Sequence, residues 1–305
     1  MVLSQQRLRQ ILGLIWVVDG LLQLQPQMFT MNMINGVMVP MSHGQPALIA
    51  RNLHWITQVT THNLTLVNIV ITVVQVSIGV LLFTGVYVRQ AVIASAMWAL
   101  IVWYGGEGMS MLLTGHAGVL TGAPGAVLFY PLIGFAVYPR DDSSDHITNS
   151  DYAGLISRRR LRYVFGALWV FLALLQLQPY WWDHGQISQA ILGMVGMGGW
   201  DTTLMDPTLT GLASRMAGSE ALLNAMLIAV CLAIGIGLLV ADERNLAPVL
   251  LTAVCASFVI WWFAEAFGGI LTGMSTDFNS GLLLILIALA SWPRPLARQA
   301  TAVAA

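Results

Sequence analysis

Long apolar stretches occupy residues 10–25, 64–87, 90–113, 122–138, 161–179, 219–241, 246–270 and 280–292, with polar connections between them. A helix that crosses a bilayer needs about 20 residues at 1.5 Å each. The first, fourth, fifth and eighth stretches are shorter, so flanking polar residues are expected to complete them. The pattern predicts an all-α integral membrane protein with eight transmembrane helices. Composition supports this: 57% of the residues are hydrophobic and 9% charged, and the mean hydropathy is +0.75. A soluble chain carries about 25% charged residues, so most of this surface is expected to face lipid. The N-terminal run ends in Gln-Leu-Gln-Pro rather than in small residues, and reads as a first membrane helix that is retained.

Arginine placement sets the expected topology. All 13 basic residues are Arg. Arg7, Arg9, Arg89, Arg140, Arg158, Arg159, Arg160, Arg162, Arg244, Arg294 and Arg298 fall on one side if the helices alternate; Arg51 and Arg215 fall on the other. The positive-inside rule then puts both termini in the cytoplasm, in a multi-pass protein of the cell membrane. The absence of Lys excludes Schiff-base chemistry, and the scattered Arg residues form no stripe for nucleic acid.

The two halves resemble each other. RLRQILGLIWVVDGLLQLQP (7–26) recurs as RLRYVFGALWVFLALLQLQP (160–179). Asn68 and Gly79 match Asn224 and Gly235, Glu107 with LLTG matches Glu265 with ILTG, and Pro139-Arg140 matches Pro293-Arg294. The expected organisation is two four-helix repeats, 1–140 and 160–305, joined by a polar cytoplasmic linker, 141–159. An even number of helices per repeat gives both the same orientation, with a pseudo-two-fold axis along the membrane normal. Segment 46–60 is expected to form a short interfacial helix anchored by Trp55.

The candidate chemistry lies on the outer side. Glu107 and Glu265 follow aromatic pairs, Trp103-Tyr104 and Trp261-Trp262, near the outer ends of helices 3 and 7. A carboxylate at that depth is costly unless paired, protonated or wetted. It serves either proton exchange or packing between helices, and its presence in both halves is the argument for packing. Asp19 differs, because its counterpart is Leu172. An acid kept in one half only makes the first half the better place for a site. Glu107, Asp19 and His116 are the candidate catalytic residues. Gln23, Gln25, Trp103, Tyr104, Trp261 and Glu265 are the candidate binding residues, although glutamines before Pro26 and Pro179 also suit helix-end capping. His43, His54, His62 and His184 read as solvated or interfacial, and no metal spacing appears. Cys231 and Cys255 lie in apolar runs and read as small buried hydrophobes.

IGVLLFTGVYVRQAVIASAMWALIVW (78–103) and IGIGLLVADERNLAPVLLTAVCASFVIWW (234–262), with the Arg-initiated first helix carrying Gly13 and Gly20, resemble the DoxX-like membrane proteins. The resemblance covers about the first three helices of each half and assigns no catalytic residue. It implies four-helix membrane units, some of whose relatives are subunits of thiosulfate:quinone oxidoreductase. This chain departs by fusing two units and adding long outer loops.

Two readings follow. In the first, the chain is a redox-associated membrane subunit that binds a quinone or small sulfur-type substrate near the outer leaflet, alongside other subunits of a membrane complex. In the second, it is a transporter or an anchoring and assembly subunit. It carries no flavin, haem or iron–sulfur signature.

Overall fold

The computed structural model describes residues 3–139, 154–195, 205–270 and 272–293. Most of the expected linker, and everything after 293, lie outside the described residues. Among those described there is no strand. The helices of seven or more residues are α1 (Gln5–Leu22), α2 (Ala47–His62), α3 (Leu64–Thr84), α4 (Val88–Gly105), α5 (Phe129–Val137), α6 (Arg158–Leu175), α7 (Gln186–Leu192), α8 (Met205–Met216), α9 (Glu220–Val240), α10 (Leu246–Phe263) and α11 (Asn279–Ala290). Four of them, α3, α4, α9 and α10, are long and apolar enough to cross a membrane. They also present large apolar side chains outward, among them Leu66, Val73, Met97, Leu222, Met226 and Leu251. That is far more exposed hydrocarbon than a water-facing surface carries.

Each apolar stretch holds a helix, but the ends differ from expectation. The third stretch, expected to 113, is helical only to Gly105, and the seventh, expected to 270, only to Phe263. Glu107 and Glu265 therefore stand just beyond their helices rather than two turns inside them. Cys231 is buried as expected, whereas Cys255 faces outward. The expected interfacial segment forms α2, with Trp55 exposed.

Matching local devices recur in the two halves. Ser4 and Ser157 cap α1 and α6, accepting from the Arg7 and Arg160 N–H groups at 3.2 and 3.3 Å. Proline follows each helix, and Pro26 and Pro179 open short 3₁₀ turns. Helix α1 packs along α3, and α6 along α9. A Cβ on Gly79 would lie 2.6 Å from the Gly13 carbonyl oxygen, and one on Gly235 would lie 2.9 Å from that of Gly166. Backbone meets backbone at both crossings, which only small residues permit. Asn68 donates to the Gln23 and Met28 carbonyls at 3.1 and 2.9 Å, and Asn224 to that of Gln176 at 2.9 Å. These amides satisfy carbonyls left free at the ends of α1 and α6.

The short helices α5 and α11 meet at the centre, where α5 also packs on α1 and α6, and α11 on α6. Arginines gather at the end of the bundle where α1 and α6 begin. Arg89 donates to the Pro139 carbonyl, Arg158 to those of Trp292 and Leu3, and Arg162 to that of Ala241. The carboxylates described next occupy the opposite end.

Candidate functional site

Beyond α4 the chain turns abruptly. Gly108, Met109, Ser110 and Met111 all have left-handed backbone, with φ of 53°, 54°, 49° and 59°. After α10 the same happens at Ala266, Phe267, Gly268 and Gly269, with φ of 44°, 56°, 76° and 58°. Left-handed backbone costs about 1–2 kcal/mol for each residue with a Cβ, so both turns are held by their surroundings. The indole N–H of Trp103 donates to the Pro124 carbonyl, and that of Trp261 to the Phe278 carbonyl, each at 2.7 Å. The two tryptophans thus hold the returning loop against the helix end, rather than walling a pocket.

This turn aims each glutamate at the start of a short helix. Glu107 Oε1 accepts from the Val127 N–H at 3.2 Å and Oε2 from the Ser110 hydroxyl at 3.2 Å. Glu265 accepts from the Gly281 N–H at 2.8 Å and from the Ser280 hydroxyl. Val127 and Gly281 lie in the first turns of Ala126–Val137 and α11, where backbone N–H groups lack intrahelical partners and the helix dipole favours negative charge. Both glutamates therefore act as long-range helix caps, which explains why both halves keep them.

Burial opposes their ionisation. It pushes the Glu107 carboxyl up to about 8, helped by the charge of Asp277 and resisted by the bonds from Val127 and Ser110. Glu265 is pushed up to about 7, again by burial first. Asp277, on the loop before α11, is also raised by burial, against donation from the Asn279 N–H at 2.6 Å and the Thr276 hydroxyl at 3.0 Å. Asp277 lies within electrostatic reach of Glu107, Glu265, Asp19 and Tyr130. It is the acid that reading the sequence overlooked. The available signal was an Asp between Ser275-Thr276 and Phe278-Asn279 in a short outer connection.

Asp19 belongs to a different arrangement. It is buried, and its Oδ2 accepts a 2.5 Å hydrogen bond from the Tyr130 hydroxyl on α5. The Tyr130 ring lies 4.4 Å from that of Trp16, whose indole N–H donates to Ser95 Oγ at 2.9 Å. The corresponding positions of the second half hold no such arrangement. Asp19 corresponds to Leu172; the register of Glu107 with Glu265 pairs Ser95 with Ala253; that of Val127 with Gly281 pairs Tyr130 with Leu284. All three replacements are apolar and buried, at 1%, 0% and 2% exposure. The fold thus fills this space with hydrocarbon when free to do so.

The remaining candidates sit nearby or elsewhere. Gln23 is buried one turn after Asp19, and its side-chain Oε1, like Asp19 Oδ1, has no hydrogen-bond partner among the described residues. Gln25 reaches toward Gly273 of the other half, as Gln178 does toward Gly115. His116 is exposed and stacks on Tyr180, ring centroids 4.2 Å apart, instead of turning to Glu107. The tight turn after Thr114 directs it outward. Tyr104 accepts from Asn52 of α2 at 2.9 Å and braces that helix. Among the described residues no group of three or more His, Cys, Asp or Glu side chains is arranged to hold a metal ion.

No protein-family profile, curated protein or solved structure matches this chain.

Proposed function

We propose that the chain is an eight-span protein of the cell membrane, built of two repeats of one orientation with cytoplasmic termini. In this reading Asp19 and Tyr130, with Asp277 within electrostatic reach, form an outer-side site that binds a quinone-type head group by hydrogen bonds to its oxygens. The observation that carries it is the replacement of Asp19, Tyr130 and Ser95 by Leu172, Leu284 and Ala253 as a set. Buried ion or polar clusters can be replaced by well-packed apolar groups without loss of stability. A half that retains the costly version keeps it for another purpose. Tyrosine and a carboxylic acid supply a donor and an acceptor to a carbonyl or hydroxyl head.

Three features support the span count. The arginine-rich ends of α1 and α6 lie together. The short α5 and α11 leave part of the bilayer depth to loops packed inside protein, where non-helical backbone is tolerated. The recurrent turns, caps and glycine crossings favour duplication.

Equilibrium binding of duroquinone, a head-only quinone, to purified protein tests the site. Asp19→Asn is expected to weaken binding at least tenfold, with Glu265→Gln within twofold of wild type. Unchanged binding by Asp19→Asn removes the reading. A transporter is the second reading, favoured by the polar seam where Gln178 and Trp181 of the second half donate to the Ala117 carbonyl of the first, both at 3.0 Å. Ligand-driven flux in vesicles, without quinone binding, supports that alternative.

A further inference from the structure

A groove of about 260 Å³ runs between α1 and α11, and every side chain lining it is hydrocarbon. Leu14 and Val18 form one wall, Leu282 and Leu289 the other, and Phe278 closes the outer end. Leu14 and Leu289 are exposed at its rim, so it opens sideways to the surface that faces lipid. Two of its lining residues are chain neighbours of the acids already described: Val18 precedes Asp19, and Phe278 follows Asp277. From Phe278 to Leu289 the wall is about 16 Å long at 1.5 Å per residue.

Pseudo-symmetry offers a second place for such a groove, between α6 and α5. There α6 packs directly on α5. The same correspondences put Phe171 where the first half has Val18, and Phe135 where the second has Leu289. Both replacements are bulkier. At these two positions the side chains beside Asp19 are the smaller ones, whereas at others, such as Leu14 against Ala167 and Phe278 against Pro124, they are the larger.

We propose that this groove holds the hydrocarbon chain of a single-chain ligand that enters from the lipid phase and presents its polar head to Asp19 and Asp277. The inference rests on the head-group site argued above and adds what kind of molecule reaches it. The volume lies below the ~300–1,000 Å³ of pockets that enclose a whole small molecule. It suits one chain, with the head held beyond it. A two-chain phospholipid leaves its second chain unaccommodated and brings a charged phosphate to a cluster of acids, where like charge repels it.

The test is the double variant Val18→Phe with Leu289→Phe, which copies residues the other half already carries at these positions. Duroquinone and its decyl-chain analogue, decylubiquinone, are compared by equilibrium dialysis on wild type and variant. The variant is expected to weaken decylubiquinone at least tenfold and leave duroquinone within twofold. Equal weakening of both, or no change in decylubiquinone, overturns the groove. If wild type binds neither quinone, the head-group reading fails by itself, and a photoactivatable hexadecanol probe, single-chain and uncharged, decides the groove. Labelling within 11–18 and 278–289 that the double variant abolishes keeps it, and equal labelling in both proteins, or a two-chain phospholipid probe labelling the same segments as strongly, overturns it.

Discussion

The Tyr130 hydroxyl reaches across 111 residues of sequence to hydrogen-bond Asp19 inside the bundle, and the corresponding residues, Leu284 and Leu172, bury hydrocarbon instead. Substituting the first half to match the second therefore separates stability from function. The triple variant Asp19→Leu, Tyr130→Leu, Ser95→Ala is expected to melt at or above the wild-type temperature in detergent, while losing duroquinone binding. Asp19→Leu alone strands the Tyr130 hydroxyl without a partner and is expected to cost about 1–3 kcal/mol. If the triple variant is the least stable of the set, Asp19 serves packing and the site argument falls.

The glutamates predict a pH dependence. Glu107 and Glu265 are raised to about 8 and about 7 in the fold, from ordinary values near 4.3 when unfolded. Between those limits the folded state holds more protons than the unfolded chain, so stability is full below about pH 4. It falls as pH rises and levels off above about 8. The slope is at most ~1.4 kcal/mol per pH unit for each group. Thermal melts from pH 5 to 9 are expected to show the decline. Glu107→Gln should roughly halve the slope below about pH 7 and abolish it between about 7 and 8, whereas Glu265→Gln should roughly halve it below about 7 only. A melting temperature independent of pH excludes raised carboxyls.

Much of this was legible in the sequence. The eight apolar stretches each contain a helix, and the shared Arg, Gly, Trp and LLQLQP positions mark matching caps, crossings and turns. The helix ends were not legible by hydropathy, since Met109, Met111, Leu112 and Leu113 continue the apolar run past the point where Gly105, Gly106 and Gly108 allow the chain to turn. Asp19 was legible as an asymmetry, but its partners were not. Tyr130 and Ser95 lie on other helices and look like ordinary core residues until the fold brings them together. Glu107 and Glu265, the sharpest features of the sequence, prove to be helix caps, because an acid at a helix start satisfies backbone donors whether or not it does chemistry.

The glycine crossings are a purely structural test. Gly79→Leu forces α1 and α3 apart, because its Cβ would sit 2.6 Å from both the Gly13 carbonyl oxygen and the Val17 nitrogen. A loss of about 1–3 kcal/mol or more is expected from overpacking, visible as reduced folded yield. Gly211→Leu is the control, since a Cβ there meets nothing within 4 Å. Equal yields from the two variants contradict the close approach.

The last prediction concerns Asp277, the acid shared by both glutamates. Its negative charge adds to burial in raising Glu107 and, after burial, is the only other influence that raises Glu265. Asp277→Asn keeps an oxygen for the Asn279 N–H, which now approaches at 2.6 Å, and so preserves the loop. It removes the charge and the second oxygen, which accepts from the Thr276 hydroxyl at 3.0 Å. The titration of Glu107, followed by its carboxyl infrared band, is expected to move to lower pH, and that of Glu265 to move the same way. Asp277→Ala discards the loop bond as well, so it should lower stability where Asp277→Asn does not. Glu107→Gln identifies which band belongs to which residue. An unchanged Glu107 midpoint in Asp277→Asn means that burial alone sets it, and that Asp277 stands apart from the cluster. A midpoint that moves to lower pH places the second half's acid in electrical contact with the first half's site. The two halves then share one group of titrating carboxyls, although only one of them carries the Asp19–Tyr130 pair.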